Sequence, residues 1–138
     1  MTQARSIFDL PIVATGAIAR GRLVTIAGGQ VASAGVKALG VAKNAASGAG
    51  KDVNVAVIGT AVAEAGGSVT VGASLVADSQ GRVVPASALA IAAGSTDVTS
   101  SAANGSAILT GGDLPQFVVA DALEAGGEGA FIEILLRR

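Results

Sequence analysis

Apolar residues in this chain alternate with other residues in short runs, and glycines separate the runs. The clearest run is residues 131–136, in which both faces are mostly apolar. One face carries Ile132, Ile134 and Leu136, and the other carries Phe131, Glu133 and Leu135. Such a strand is expected at the centre of a barrel or sandwich, or in a subunit interface.

Two hairpins are predicted from runs that flank turn residues. Gly28-Gly29 suits a two-residue turn because glycine accepts positive φ. In Asp78-Ser79-Gln80-Gly81, Asp opens the turn and Gly takes the left-handed position, and Pro85 ends the strand that follows. Further runs are rich in β-branched valine. The predicted strands are 23–27, 30–32, 53–58, 69–71, 75–77, 82–84 and 131–136.

The fold class predicted from these runs is all-β, as a small β-barrel or a jelly-roll-like β-sandwich. The 20 glycines favour strands over helices, because each costs a helix interior about 1 kcal/mol. Glu64-Ala65-Gly66-Gly67 is echoed at residues 124–127, with a third variant at Gly48-Ala49-Gly50. We interpret the echo as a recurring strand and turn in preference to a true duplication.

The chain is predicted to be one domain with an N-terminal arm. Residues 1–15 form the arm, and residues 16–138 form a single β domain. A secretory signal is the alternative for the start of the chain, but Asp9 and Pro11 interrupt its apolar stretch. Residues 87–112, dominated by Ser, Thr, Ala and Gly, are a long excursion that we expect to order against a partner.

Composition removes several classes of function. The chain has no His, Cys, Trp or Tyr, so the commonest catalytic and metal-binding side chains are missing. The net charge of −1 and the scattered basic residues argue against nucleic acid, and no apolar stretch is long enough to cross a membrane as a helix. With 51% hydrophobic and only 14% charged residues, part of the surface is expected to be covered by another protein.

No catalytic, cofactor-binding or metal-binding residue is predicted. The segment Ser47–Lys51 has the look of a phosphate loop, but Ala45 and Asp52 stand where that motif needs Gly and a hydroxyl residue, so a plain turn is favoured. The carboxylates Asp121 and Glu124, with Asp113, are the only candidates for acid and base chemistry, and nothing else converges on them.

The order of several segments resembles the capsid cement, or head decoration, proteins of tailed bacteriophages. The resemblance spans residues 16–138 and rests on the segments 39–42, 53–57, 66–78, 81–86 and 119–136. It implies a non-enzymatic virion protein without cofactors. Such a protein binds the major capsid protein on the outside of the expanded head, as a homotrimer or homodimer, and holds neighbouring capsomers together.

Several apolar residues and two arginines are the candidate contacts with the capsid or with other subunits. Phe8 is expected to anchor an extended arm that adds a strand to a capsid sheet. The candidates are Ile7, Phe8, Leu10, Arg20, Arg22, Phe117, Phe131, Ile132, Ile134 and Leu136.

Two other kinds of protein remain as alternatives. The first is a virion or cell-surface β-sandwich module that binds a glycan or a host receptor, although only Phe8, Phe117 and Phe131 could supply an aromatic platform. The second is a small enzyme that uses Ser, Lys or Asp, which would need a water-excluding pocket with convergent polar groups.

Overall fold

The computed structural model describes residues 3–87 and 116–137, which form eight β-strands. The all-β prediction is confirmed, and the sheet has the shape of a nearly closed barrel. The strands are β1 Ser6–Val13, β2 Leu23–Val24, β3 Gly40–Ala42, β4 Asp52–Glu64, β5 Ser74–Ala77, β6 Val83–Pro85, β7 Ala120–Ala122 and β8 Phe131–Leu136.

The 13-residue strand β4 is the backbone of the sheet. Its first half pairs with both β1 and β3, and its second half pairs with β8. The sheet order is β2-β3-β4-β8-β7-β5-β6, with β1 added beside β4, and all these pairs are antiparallel. Strand β8 thus lies between β4 and β7, as its two apolar faces predicted.

The two ends of the sheet, β2 and the β5–β6 hairpin, are held together by polar contacts. Leu23 N donates to Gly81 O at 2.7 Å. Arg22 places Nε 2.9 Å from Glu64 Oε2 and donates from Nη1 to Gln80 O at 2.8 Å. Because the Arg22 and Glu64 side chains are each only 17% exposed, water screens this ion pair less than a surface pair.

The barrel consists of two units with matching hydrogen-bond patterns, which we call unit 1 (residues 9–57) and unit 2 (residues 60–136). Strand β4 belongs to both. Its first half is the last strand of unit 1 and corresponds to β8 in unit 2. Its second half is the first strand of unit 2 and corresponds to β1 in unit 1. The register agrees pair by pair, since Leu10↔Val55 corresponds to Ala61↔Ile134.

Backbone contacts outside the strands repeat in the same way. Four backbone hydrogen bonds of unit 1 each have a counterpart in unit 2. Gly21 N to Ala42 O (2.9 Å) matches Gly72 N to Ala122 O (2.8 Å), and Ile18 N to Ala46 O (2.9 Å) matches Val69 N to Gly126 O (2.8 Å). Leu39 N to Val24 O (2.7 Å) matches Val119 N to Leu75 O (2.8 Å), and Gly50 N to Ala14 O matches Gly129 N to Ala65 O (both 2.8 Å). The left-handed glycines also match, with φ of 76° and 82° at Gly21 and Gly72. The repetition is therefore a property of the fold. It involves the hydrogen-bond pattern of each whole unit, which is more than a recurring strand and turn.

Each unit has its own apolar core. The buried residues of the smaller core are Ala14, Ile18, Val24, Ala42, Ala46, Val53, Val55 and Val57, with Leu10, Ile12 and Leu39 packed against them. Most of their counterparts in unit 2 belong to the larger core, which also holds unit 1 residues buried against unit 2. The echo noted in the sequence between residues 64–67 and 124–127 pairs segments that are not counterparts, which explains why it did not reveal the duplication.

Several predicted elements are confirmed, and others are shorter than expected. The β5–β6 hairpin and β8 lie where the sequence placed them. The turn of the first predicted hairpin forms, but β2 ends at Val24, since Thr25 N already donates to Gly29 O across the turn. The predicted strand 30–32 is wrong, because these residues contribute only a bridge between Gln30 and Val24. Residues 69–71 contribute only a bridge between Val69 and Gly126. Strands β1, β3 and β7 were missed as strands, since β1 contains a proline and the other two have three residues each.

Residues 6–13 of the predicted arm form β1 and are bonded along one edge to β4. The predicted excursion at 87–112 lies outside the described residues except for Ser87.

Asp78 is predicted to make the barrel closure sensitive to acid. Its carboxylate accepts bonds from the Arg82 and Gln80 amides, both at 2.8 Å, and from Arg82 Nε at 2.7 Å. Burial alone would raise the pKa of Asp78, but the bonds from Arg82 and Gln80 outweigh it and hold the pKa below its usual 3.8. The ionised Asp78 carboxylate thus contributes its full stabilisation to the folded state above about pH 4, and this contribution is lost as the pH falls through the lowered pKa.

The variant Asp78→Asn should lower the free energy of unfolding at pH 7 by about 1–3 kcal/mol, because hydrogen bonds to a charged group are lost. Urea unfolding followed by circular dichroism at pH 7, 5 and 3 measures it, and the difference from wild type should shrink at pH 3. The exposed Asp52→Asn is the control. An equal effect of both substitutions at pH 7 would contradict this role for Asp78.

Candidate functional site

The outer edge of β1 carries a proline. Ala14 N donates to Lys51 O, so the backbone N–H and C=O groups of the even-numbered residues of this part of β1 point toward β4. The backbone of Pro11 therefore points away from β4, toward the open edge of the sheet. Proline has no N–H to offer a further strand, and it is found on edge strands for that reason. At Pro11 this edge therefore offers no hydrogen-bond donor to an added strand, and the expected addition of a strand to a capsid sheet stays a prediction.

Two irregularities in the β1–β4 pairing turn apolar side chains outward. The register shifts between Ser6 and Phe8 and again between Phe8 and Asp9. Ile7, which has no partner in this register, is 82% exposed. Phe8 pairs with Ile58 across the strands, and these side chains are 50% and 44% exposed. We call Ile7, Phe8 and Ile58 the β1 knob, since bulges commonly re-aim side chains in this way.

Gly59 allows β1 to lie this close to β4. Its φ is +103°, and a Cβ at this position would lie 2.5 Å from Arg5 O and 2.8 Å from Ile7 N. A side chain would therefore force the two strands apart directly behind the knob. Gly59 was not singled out in the sequence, where it simply follows the valine-rich run 53–58.

An ion pair fixes the same strand from the side. Lys43 Nζ lies 2.6 Å from Asp9 Oδ2 and 3.0 Å from Ser6 Oγ. The Lys43 hydrogen bond, with a smaller one from Ser6, outweighs desolvation and lowers the pKa of Asp9. Both side chains are partly exposed, so the pair contributes more to the position of β1 than to overall stability.

Three of the predicted contact residues, Phe131, Arg20 and Arg22, come together at the other end of β4. Phe131 pairs with Glu64, and its ring lies against Gly21, where a Cβ would come within 2.7 Å of the ring. Arg22 is bonded to Glu64 and Gln80, whereas Arg20 is exposed. Arg22 therefore serves the barrel closure, and Phe131 covers the backbone beside it.

The remaining predicted contact residues are distributed between core and surface. Ile132 and Ile134 are buried in the larger core, and Leu136 packs against it. Leu10 packs against the smaller core. Phe117 is 54% exposed, and its N–H donates to Gly35 O. Of the predicted contact residues, only Ile7, Phe8, Arg20, Phe117 and Phe131 have side chains that expose a substantial surface to a partner.

The candidate carboxylates have structural partners. Asp121 pairs with Arg137 and accepts a hydrogen bond from Ser74 Oγ, and Glu124 Oε2 accepts the Glu133 N–H. Asp113 lies outside the described residues. Within residues 3–87 and 116–137 no cluster of three or more potential metal ligands occurs, and no helix is long and apolar enough to cross a membrane.

A small cleft beside the second half of β4 has a volume of about 80 Å³. Arg20 and Lys43 supply its charges, and Thr60 supplies a hydroxyl, while alanine and valine form most of its remaining lining. This donor set offers neither a nucleophile with an adjacent base nor a place to exclude water from a reacting group.

The molecule is thus an all-β, barrel-shaped protein that presents apolar side chains on its surface. A family model described as phage cement protein matches residues 2–112. Since this match covers most of the chain, the chain belongs to the phage cement protein family and is a structural protein of the phage capsid.

Structural comparison gives the same fold. The chain is similar to the crystal structure of the head fiber gp8.5 N base of bacteriophage phi29, with a TM-score of 0.62 and 17% sequence identity over 94% of this chain and 93% of that chain. No curated protein matches the sequence. The resemblance identified from the sequence is confirmed.

Substitution of Gly59 tests how the β1 knob is positioned. Gly59→Ala should lower the free energy of unfolding by about 2–4 kcal/mol, because the residue has a positive φ and the added Cβ meets the β1 backbone. Thermal unfolding followed by circular dichroism measures it. The control is Gly48→Ala, where a Cβ meets nothing within 4 Å. A Gly59→Ala protein as stable as Gly48→Ala would contradict the close approach of the two strands.

Proposed function

We propose that this protein decorates the outer surface of the expanded phage head, binds the major capsid protein, and stabilises the contacts between capsomers. The observation that carries the assignment to a cement role is the family match over residues 2–112. The phi29 head fiber base supports it at the level of the fold. Location on the virion follows from the family, and the outer face of the head is part of the proposal.

The surface proposed to contact the capsid is the β1 knob. It is the place where three large apolar side chains stand out from one rigid strand pair, with Ile7 and Phe8 adjacent in sequence and Ile58 across from Phe8. Aromatic and large aliphatic side chains that enter a pocket on a partner supply most of the energy of protein interfaces. The strand pair behind them is fixed by Gly59 and by the Lys43–Asp9 ion pair, so little conformational entropy is lost on binding.

A small contact of this kind is sufficient for a cement role if many copies act on one shell. A protein that binds only the assembled head stabilises that state by mass action, and each occupied site adds its own binding free energy. Sites that are linked by association between neighbouring copies hold more strongly than each contact alone. The low charge of the chain also limits the desolvation cost of covering its surface.

Removal of the Phe8 ring should weaken binding to the capsid. We expect Phe8→Ala to raise the dissociation constant for expanded heads about 10- to 100-fold, because aromatic anchors at interface centres contribute about 2 kcal/mol or more. Cosedimentation of purified protein with expanded heads, quantified on gels, measures it. Wild-type protein should bind saturably at a fixed ratio to the major capsid protein.

The matched control for this experiment is Phe131→Ala. Phe8 and Phe131 are 50% and 49% exposed, but the Phe131 ring already packs against Gly21 within the chain. The control should therefore bind heads as wild type does. Equal loss of binding in both variants would reject the knob as the specific contact, and absence of binding by wild-type protein would reject the capsid role itself.

Decoration should also stabilise the head. Expanded heads stripped of this protein should break at a lower temperature than decorated heads, and added purified protein should restore the higher temperature. Calorimetry of stripped, decorated and re-decorated heads measures it. Identical breakage temperatures for stripped and decorated heads would contradict a cement function.

A further inference from the structure

The small cleft beside β4 has only positive side-chain charges. Arg20 and Lys43 supply these charges, and the other polar side chain in the lining is the hydroxyl of Thr60. The rest of the lining is formed by alanine and valine, and no carboxylate of the described residues takes part in it. The cleft is therefore an apolar recess in which every polar side chain can donate a hydrogen bond.

Arg20 is the charged group of the cleft that lacks a partner. Arg22, Arg82 and Arg137 each form an ion pair with a carboxylate of the chain. Arg20 is exposed and forms no ion pair or side-chain hydrogen bond with any residue in the described part of the chain. A guanidinium is planar and presents paired donors that match the two oxygens of a carboxylate. Arg20 is thus free to bind a carboxylate from outside the chain.

The other two polar groups of the cleft keep hydrogens that they can donate. Lys43 Nζ bonds to Asp9 Oδ2 and Ser6 Oγ, which uses two of the three donors of an ammonium group. Thr60 Oγ1 accepts the Arg5 N–H at 2.8 Å, so its own hydroxyl hydrogen remains available. With the free guanidinium, three donors line one recess.

Comparison of the two units shows that the fold does not require these cations. The repeated backbone hydrogen bonds place Val71 and Leu123 of unit 2 at the positions of Arg20 and Lys43 in unit 1. Both of these aliphatic side chains are exposed. Because unit 2 has the same backbone pattern without a cation at either position, the basic character belongs to this cleft and not to the repeated architecture.

The size of the cleft restricts what can enter it. Its volume is about 80 Å³, whereas small-molecule sites typically measure roughly 300–1,000 Å³. The cleft therefore holds about two or three groups of the size of a water molecule, at about 30 Å³ each. A side-chain carboxylate has this size, and a sugar or a nucleotide does not. The occupant that fits is a single acidic side chain delivered by a larger partner.

We propose that the cleft receives an aspartate or glutamate side chain of the major capsid protein. The carboxylate pairs with the guanidinium of Arg20, and Lys43 and Thr60 donate to the same group. Ile58 of the β1 knob lies on β4 between Ala56 and Thr60, both of which line the cleft, so the knob and the cleft are adjacent. This contact rests on the capsid binding proposed above and adds the chemistry of the partner, which is an acidic residue beside an apolar pocket.

Charge variants at position 20 test for the carboxylate. Arg20→Gln should raise the dissociation constant for expanded heads about tenfold or more, because hydrogen bonds between charged groups are lost. Arg20→Glu should bind more weakly still, since its carboxylate repels the one on the capsid. Cosedimentation with expanded heads measures both, and the gap between wild type and Arg20→Gln should narrow as sodium chloride is raised from 50 to about 500 mM.

The matched control is Lys51→Gln, which removes the same charge from an exposed residue just before the start of β4. It should bind heads as wild type does. Both side chains are exposed and unpaired in the described part of the chain, so the variants should fold, which circular dichroism verifies.

A cross-link identifies the partner group directly. In heads decorated with Arg20→Lys, a zero-length carbodiimide reagent should join the introduced amine to the carboxylate that it contacts. Mass spectrometry should then find a peptide that links position 20 to an aspartate or glutamate of the major capsid protein.

Three results would overturn the carboxylate contact while leaving the capsid role in place. They are an Arg20→Gln protein that binds heads no more weakly than Lys51→Gln, an Arg20→Glu protein that binds as well as Arg20→Gln, and decorated heads in which position 20 is not linked to the capsid protein. Failure of wild-type protein to bind expanded heads is a different result, because it would overturn the capsid role and the carboxylate contact together.

Discussion

The structure depends on one strand that serves two units at once. Strand β4 ends the hydrogen-bond pattern of the first unit and begins that of the second, so neither unit is complete without it. Both apolar cores take side chains from this strand. Gly59, close to its middle, lets β1 approach its backbone, and the change of pairing partner occurs beside this residue. Loss of β4 geometry would therefore disturb both cores together.

The two units share a backbone pattern but differ in what they expose. Where the units meet, unit 1 presents small or aliphatic side chains that become buried, and Arg22 and Glu64 close the junction with an ion pair. At the free ends, exposed Val13 and Leu135 stand at the corresponding places. The irregular pairing of β1 adds the knob at Phe8. A fold that repeats itself thus acquires distinct surfaces through a few substitutions and two register shifts.

Much of the fold could be predicted from the sequence because its strongest strands carry a clear signal. The alternation around Ile132 and Ile134 defined β8, and Asp78 to Gly81 defined a turn. Strand β1 was missed because Pro11 argues against a strand unless the strand lies at an edge, which is a property of the assembled sheet. The duplication was hidden because the units match in backbone geometry while their residues differ and unit 2 contains a long insertion at residues 88–115.

The candidate contact surface was predicted only in part. Ile7 and Phe8 were identified because aromatic residues are rare in this chain, and both are exposed. Ile58 was missed, although its position one residue out of phase with Val55 and Val57 in an alternating strand was a signal that it faces outward. Ile132 and Ile134 were included because a strand with two apolar faces suggests an interface. Both side chains are instead buried in the barrel's own core.

The most direct test of the account is an electron cryomicroscopy map of expanded heads saturated with the purified protein. We expect barrel-shaped density on the outer surface of the shell, with the strand pair that carries Phe8 and Ile58 turned toward the major capsid protein. Heads without added density, or density whose contact with the shell lies on another part of the barrel, would contradict it.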